Sequence, residues 1–174
     1  ELTTIAKDGV ASAAQLNQYT SFIGNIMASR ISALWDFSGP AITVSAEENS
    51  VFRCVDLAES LFQTSNVEAV VIAAVDLACG IENITLRQHF GVMANNTNID
   101  VLSQKGWVAG EGAGALVLKP VSKAKPESIY ATIDGLALAN GLNTNAMVGA
   151  VNSALQQAQV NADQISVVEA YASG

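Results

Sequence analysis

The segment Val67 to Leu77 is apolar on both of its alternations, with an unbroken apolar run from Ala69 to Val75. A strand with one wet face alternates, whereas a strand that is apolar on both sides has to be covered on both. The run is far too short to span a bilayer, which takes roughly 20 apolar residues in a helix. The cover must therefore come from protein. Residues 19–35 supply one candidate layer, with Phe22, Ile23, Ile26, Met27, Ile31 and Leu34 at helical spacing and a stop at Gly39-Pro40. Residues 49–63 supply another. There Val51, Cys54, Val55, Ala58, Leu61 and Phe62 form an apolar stripe, and Arg53, Asp56 and Glu59 the wetter side. Further strands are predicted at Ala41-Ile42-Thr43-Val44, short and buried, and over 113–121, 129–139 and 165–171, with a helix over 146–159. The polar stretch 95–105 reads as an exposed loop and 123–128 as a polar turn. Apolar strands alternating with amphipathic helices give an α/β chain with a mainly parallel sheet and helices on both faces. The link between 113–121 and 129–139 is too short for a helical crossover, so the sheet is mixed or the chain passes there between two related halves.

Composition removes several function classes. Half of the 174 residues are apolar and 14% are charged, which argues for a packed core and against disorder. The net charge is −8, and the eight basic residues are scattered singly, so neither nucleic acid nor an anionic membrane surface has a complementary patch. No basic, hydrophobic N-terminal stretch resembles a signal peptide. Cys54 and Cys79 make no disulfide framework, no metal-ligand spacing occurs, and the lone histidine, His89, builds no metal site. The expectation is a soluble, reduced, cytoplasmic α/β protein. Because the sequence opens at Glu1 and stops at Ala172-Ser173-Gly174 directly after a strand-like run, it also reads as a segment of a larger domain.

The junction Val44-Ser45-Ala46-Glu47-Glu48-Asn49-Ser50-Val51 carries the chemistry. A strand that runs straight into a helix puts its turn residues beside free backbone N–H groups, which lower a thiol pKa and hold an oxyanion. Here the turn carries two glutamates. The stretch Gly39-Pro40-Ala41-Ile42-Thr43-Val44-Ser45-Ala46-Glu47-Glu48-Asn49-Ser50 resembles the nucleophile region of β-ketoacyl synthases of the thiolase superfamily, G-P-x-x-x-V-D-T-A-C-S-S-S. The resemblance continues through Ala69 to Val75. It then covers Gly110-Glu111-Gly112-Ala113-Gly114-Ala115-Leu116-Val117-Leu118-Lys119-Pro120, close to G-E-G-A-G-V-V-V-L-K, and Val168-Glu169-Ala170-Tyr171-Ala172-Ser173-Gly174, close to V-E-A-H-G-T-G. Residues 28–40 and 45–50 look most like the chain-length-factor-type domain of bacterial polyunsaturated fatty acid synthases. The resemblance implies a thiolase-like α-β-α-β-α layering of which the chain covers part. Residues 1–125 would be the later part of the N-terminal half, and 126–174 the start of the C-terminal half.

Two departures from the family pattern matter. The cysteine position is Glu48 and the first histidine position is Tyr171, while a second histidine would lie beyond Gly174. The resemblance therefore implies no catalytic residue here. It implies a non-catalytic partner of an active ketosynthase in a pseudo-symmetric dimer, with Ala41, Ile42, Thr43, Val44 and helix 19–35 near the interface and Phe90 near the acyl pocket. Acyl groups would come as phosphopantetheine thioesters on a carrier protein that docks mainly on the partner, and the chain itself would bind no cofactor. The alternative is a ketosynthase-like decarboxylase that makes acyl starters from malonyl carrier protein. An ionised Glu48 is ill suited to that, since it cannot donate to a thioester oxyanion and repels the malonyl carboxylate. A structural reading of Glu48 also exists: Ser45 and Glu48 have the S-x-x-E spacing of a capping box. Cys54 and Cys79 read as inert core residues and His89 as a partly buried, hydrogen-bonded one. Gly110 to Gly114 lacks the ending of a phosphate loop and reads as close-packed backbone ahead of a strand.

Overall fold

A computed structural model describes residues 23–91, 106, 108–141 and 143–170. The chain divides into two compact units, Glu1–Cys54 and Val55–Gly174.

The first unit holds helix α1, Ile26–Leu34, which begins later than the apolar spacing suggested: Ile23 to Asn25 form a turn ahead of it, and residues 19–22 lie outside the described residues. Trp35 N–H closes the last turn on the Ile31 carbonyl, and Asp36 then takes φ 53°, a left-handed exit ahead of Gly39-Pro40. Residues 40–46 form neither helix nor ladder. The short buried strand expected over Ala41 to Val44 is thus corrected: Ile42 is 49% exposed, and no described strand pairs with the segment. A single 3₁₀ turn, Glu47–Asn49, leads into helix α2, Ser50–Thr64. The predicted stripe of α2 is visible residue by residue. Ala58 is 1% exposed, Val51, Cys54, Val55, Leu61 and Phe62 are half-buried, and Arg53, Asp56 and Glu59 are exposed.

The second unit contains the one sheet among the described residues, β1 Val70–Leu77 against β2 Glu111–Leu118. The pair is antiparallel, running from Val70 opposite Leu118 to Leu77 opposite Glu111. This pairing is antiparallel, not the parallel one that dominated the expectation, and it does not involve residues 129–139, whose short link to β2 had suggested a mixed sheet. Of β1 only Ile72 is buried, although the strand is apolar on both faces. Between the strands lies α3, Ile81–Phe90, which the apolar spacing did not reveal. Its signal is electrostatic instead, Glu82 in the first turn and Arg87 in the last, each complementing the helix dipole.

Past β2, Pro120 and Pro126 punctuate two 3₁₀ turns, Val121–Lys123 and Pro126–Ser128. Residues 129–139 and 165–170 were expected as strands, but neither joins a ladder among the described residues. The first of these packs instead on helix α4, Thr144–Ala158. Leu136 N–H donates to Gln157 Oε1 at 2.9 Å, and a Cβ on Gly135 would collide with the Ala154 carbonyl oxygen. α4 is capped at both ends. Asn143 Oδ1 accepts from Ala146 N–H at 2.9 Å, and Gln159 closes the helix in the left-handed region at φ 57°.

Candidate functional site

The corner between residues 40–46 and α2 is built by three polar side chains. Asn25, just ahead of α1, donates from Nδ2 to the Ala41 carbonyl at 2.9 Å and accepts the Thr43 N–H on Oδ1 at 2.7 Å. Ser29, one turn further along, accepts from the same Nδ2 at 3.3 Å. Beyond Val44 the backbone turns sharply: Ala46 lies at φ −148°, ψ 38° and Glu47 at φ 51°. A non-glycine residue in that left-handed region costs roughly 1–2 kcal/mol, so neighbouring contacts must hold it there. Ser50 supplies them. Its hydroxyl accepts from Ala46 N–H at 2.9 Å and donates to the Glu47 carbonyl at 2.6 Å, bracketing the strained residue.

This corrects the capping-box expectation. Ala46, not Ser45, precedes the turn, and neither the Ser45 hydroxyl nor the Glu48 carboxylate bonds a backbone N–H there. The left-handed turn at Glu47 breaks the regular helical start that a Ser45–Glu48 box requires, and the turn is held by Ser50 instead. Glu48 lies exposed in the 3₁₀ turn, one residue past the strained one and two before α2. A carboxylate there complements the unbonded N–H groups of a helix start but has no chemistry as an acyl carrier. Passing an acyl group between thiols is near thermoneutral, whereas a carboxylate would have to form a mixed anhydride, far uphill.

The other singled-out residues are placed as follows. Cys54 is half-buried on the α2 stripe, and burial pushes its thiol above the ordinary value, so the neutral, unreactive form is favoured. Cys79 was expected in the core and is exposed; the turn between β1 and α3 buries Ala78 instead. Cys79 N–H donates to Glu111 Oε1 at 3.1 Å, tying that turn to the start of β2. His89 was expected partly buried and is exposed, its ring edge-on to Phe90 at 5.4 Å. Phe90 ends α3 and is 81% exposed. A shallow depression along α3, lined by Ile81, Glu82, Thr85, Leu86 and His89, draws all of these walls from one helix. Tyr171, residues 95–105 and most of the loop after Phe90 lie outside the described residues. Among the described residues no group of three or more His, Cys, Asp or Glu could hold a metal, and no helix is long and apolar enough to cross a membrane.

Sequence reasoning missed Asn25, Ser50 and Glu111. Only Glu111 left a trace, as the lone charge among the glycines at the head of β2.

Comparison with known proteins gives concordant results. Residues 1–124 match the family described as "Beta-ketoacyl synthase, N-terminal domain". The chain is similar to a polyunsaturated fatty acid synthase polypeptide of Thraustochytrium sp., 39% identical over 157 residues, covering 87% of this chain and 7% of that protein. It is also similar to a solved structure described as PfaC keto synthase–chain length factor. There the identity is 65% and the TM-score 0.89, covering 99% of this chain and 19% of the other. A type II polyketide ketosynthase solved in complex with its acyl-carrier protein shares the fold at 19% identity and TM-score 0.77, covering 91% and 43% of the two chains. The chain thus spans less than half the length of each of these relatives, and its architecture is part of a thiolase-like fold.

Proposed function

Because the chain belongs to the β-ketoacyl synthase family, we propose that it serves as a chain-length-factor-type partner of an active ketosynthase in polyketide or polyunsaturated fatty acid synthesis. The observation that carries this reading is Glu48. It stands at the corner ahead of α2, where the family motif has cysteine, with no thiol chemistry to offer. Tyr171 aligns with the first histidine, and a phenol with a pKa near 10 is a poor substitute for neutral imidazole at pH 7. A chain of this kind contributes by binding. It pairs with its cysteine-bearing homologue in the cytoplasm, through Ala41 to Val44 and the neighbourhood of α1, and shapes the acyl tunnel with residues around Phe90. Residues 1–125 act as the later part of the N-terminal half and 126–174 as the start of the second. The acyl chains travel as phosphopantetheine thioesters on a carrier protein held mainly by the partner, since an acidic chain repels an acidic carrier.

Exposed apolar side chains support an association role. Ile23, Met27, Ile31 and Leu34 in and just before α1, and Ile42 after it, all remain open to solvent. Covering such surface with a homologous partner is the usual driving force of assembly. The test is co-production of the natural polypeptide carrying this sequence with its ketosynthase, followed by size-exclusion chromatography. The expected result is a stable complex that elongates acyl chains, with no carbon dioxide released from malonyl carrier protein by the polypeptide alone. Separate elution would contradict the reading, and so would a decarboxylation that Glu48→Ala abolishes.

A further inference from the structure

We infer that Asn25 is the positioning residue of the Glu48 corner, its carboxamide standing in for a neighbouring β-strand. A strand neighbour satisfies backbone groups of alternate residues on one edge, accepting one N–H and donating to one carbonyl two residues away. Asn25 does both from a single side chain, donating to the Ala41 carbonyl and accepting from the Thr43 N–H, across 16 and 18 residues of sequence. No described strand performs that task for residues 40–46. The clasp is anchored in turn. Asn25 directly precedes the first residue of α1, its backbone carbonyl accepts from Ser29 N–H at 3.1 Å, and Ile26 N–H bonds the Ile23 carbonyl at 2.9 Å.

The consequence is carried along the chain. With Ala41 and Thr43 fixed, Val44 and Ser45 are the only residues separating the clasp from Ala46, where the Ser50 hydroxyl takes over. Asn25 and Ser50 therefore hold the two ends of one short run, and the strained turn at Glu47 is set by both. Glu47 cannot keep a conformation costing roughly 1–2 kcal/mol if the segment before it is free to swing and relieve it. The inference rests on the proposed function for the corner's importance and on the hydrogen bonds alone for its geometry.

The chemistry of the amide supplies a discriminating variant. In Asn25→Asp, an ionised carboxylate still accepts from Thr43 N–H but cannot donate to the Ala41 carbonyl and repels its oxygen. Once protonated, the same carboxyl both donates and accepts. Asn25→Ala can do neither at any pH.

Hydrogen exchange followed by mass spectrometry, in the natural polypeptide carrying this sequence, reads the corner without any partner. Rates are compared with wild type at the same pH. Peptides spanning 41–50 are expected to exchange about tenfold faster in Asn25→Asp at pH 8. In Asn25→Ala they are fast as well, and peptides within 144–158 stay unchanged in every variant. A wild-type Thr43 amide exchanging at the unprotected rate would overturn the inference without recourse to a variant. It would also be overturned if Asn25→Asp loosened 41–43 while 46–50 kept wild-type protection. Failure to bind a ketosynthase would sink the proposed function and leave this result standing.

Discussion

Glu47 and Ser50 form the smallest testable unit of the corner. Glu47 holds φ 51° because the Ser50 hydroxyl bonds the backbone on either side of it. Replacing Glu47 by glycine removes the Cβ penalty but adds chain entropy to the unfolded state. The net expectation is a gain of about 0.5–1 kcal/mol in urea denaturation of the natural polypeptide. Ser50→Ala removes both hydrogen bonds and is expected to lose about 1–2 kcal/mol. A Glu47→Gly variant less stable than wild type would show that the carboxylate, and not the backbone, governs this position. The two cysteines separate just as cleanly. Burial raises the Cys54 pKa, so its thiol stays neutral and its contribution to stability is intact below the ordinary thiol pKa. That contribution is lost as pH rises past the ordinary value and through the raised one. Alkylation at pH 8 is therefore expected to modify exposed Cys79 at least tenfold faster than Cys54, measured by peptide mapping. Equal rates would mean that α2 does not shield its stripe.

At the scale of elements, the sequence revealed those whose signal is local and periodic. The α2 stripe and the α4 span follow from side chains repeating at helical spacing, and both came within a few residues of the structure. Where the signal is not periodic, reading failed for identifiable reasons. α3 has few apolar residues to repeat, and only its charge order marks it. Residues 129–139 have strand-like composition, but what fixes them is the backbone approach of Gly135 to Ala154 and the Gln157 bond to Leu136, which no pattern encodes. The Ser45–Glu48 spacing suggested a cap that the turn at Glu47 displaced. Two substitutions test this level. Gly135→Ala drives a methyl into the Ala154 carbonyl and is expected to cost about 1–3 kcal/mol. Gln159→Gly, at the left-handed end of α4, is expected to stabilise by up to about 1 kcal/mol. A silent Gly135→Ala would mean that the segment does not pack on α4 as described.

Across the chain, apolar character and burial do not match. Among the described residues only Ala58, Ile72 and Ala78 are buried apolar ones, while β1 keeps Val71, Val75 and Leu77 open to solvent. A chain of this length that folds to completion usually buries about 70% of its surface. The 174 residues produced on their own are accordingly expected to bind a hydrophobic dye and to unfold without a sharp transition. A steep, dye-free thermal transition would show that the exposed faces need no cover. The family was legible because four motif blocks survive in order. The Asn25 and Ser50 bonds that shape the corner were not legible, since they join residues through space. The central claim is that the acyl group never resides on this chain. Intact-mass and peptide analysis after the ketosynthase complex is incubated with acyl-loaded carrier protein tests it directly. The expected adduct lies on the partner's cysteine alone; an acyl group mapped to Glu48, Cys54 or Cys79 would contradict the account.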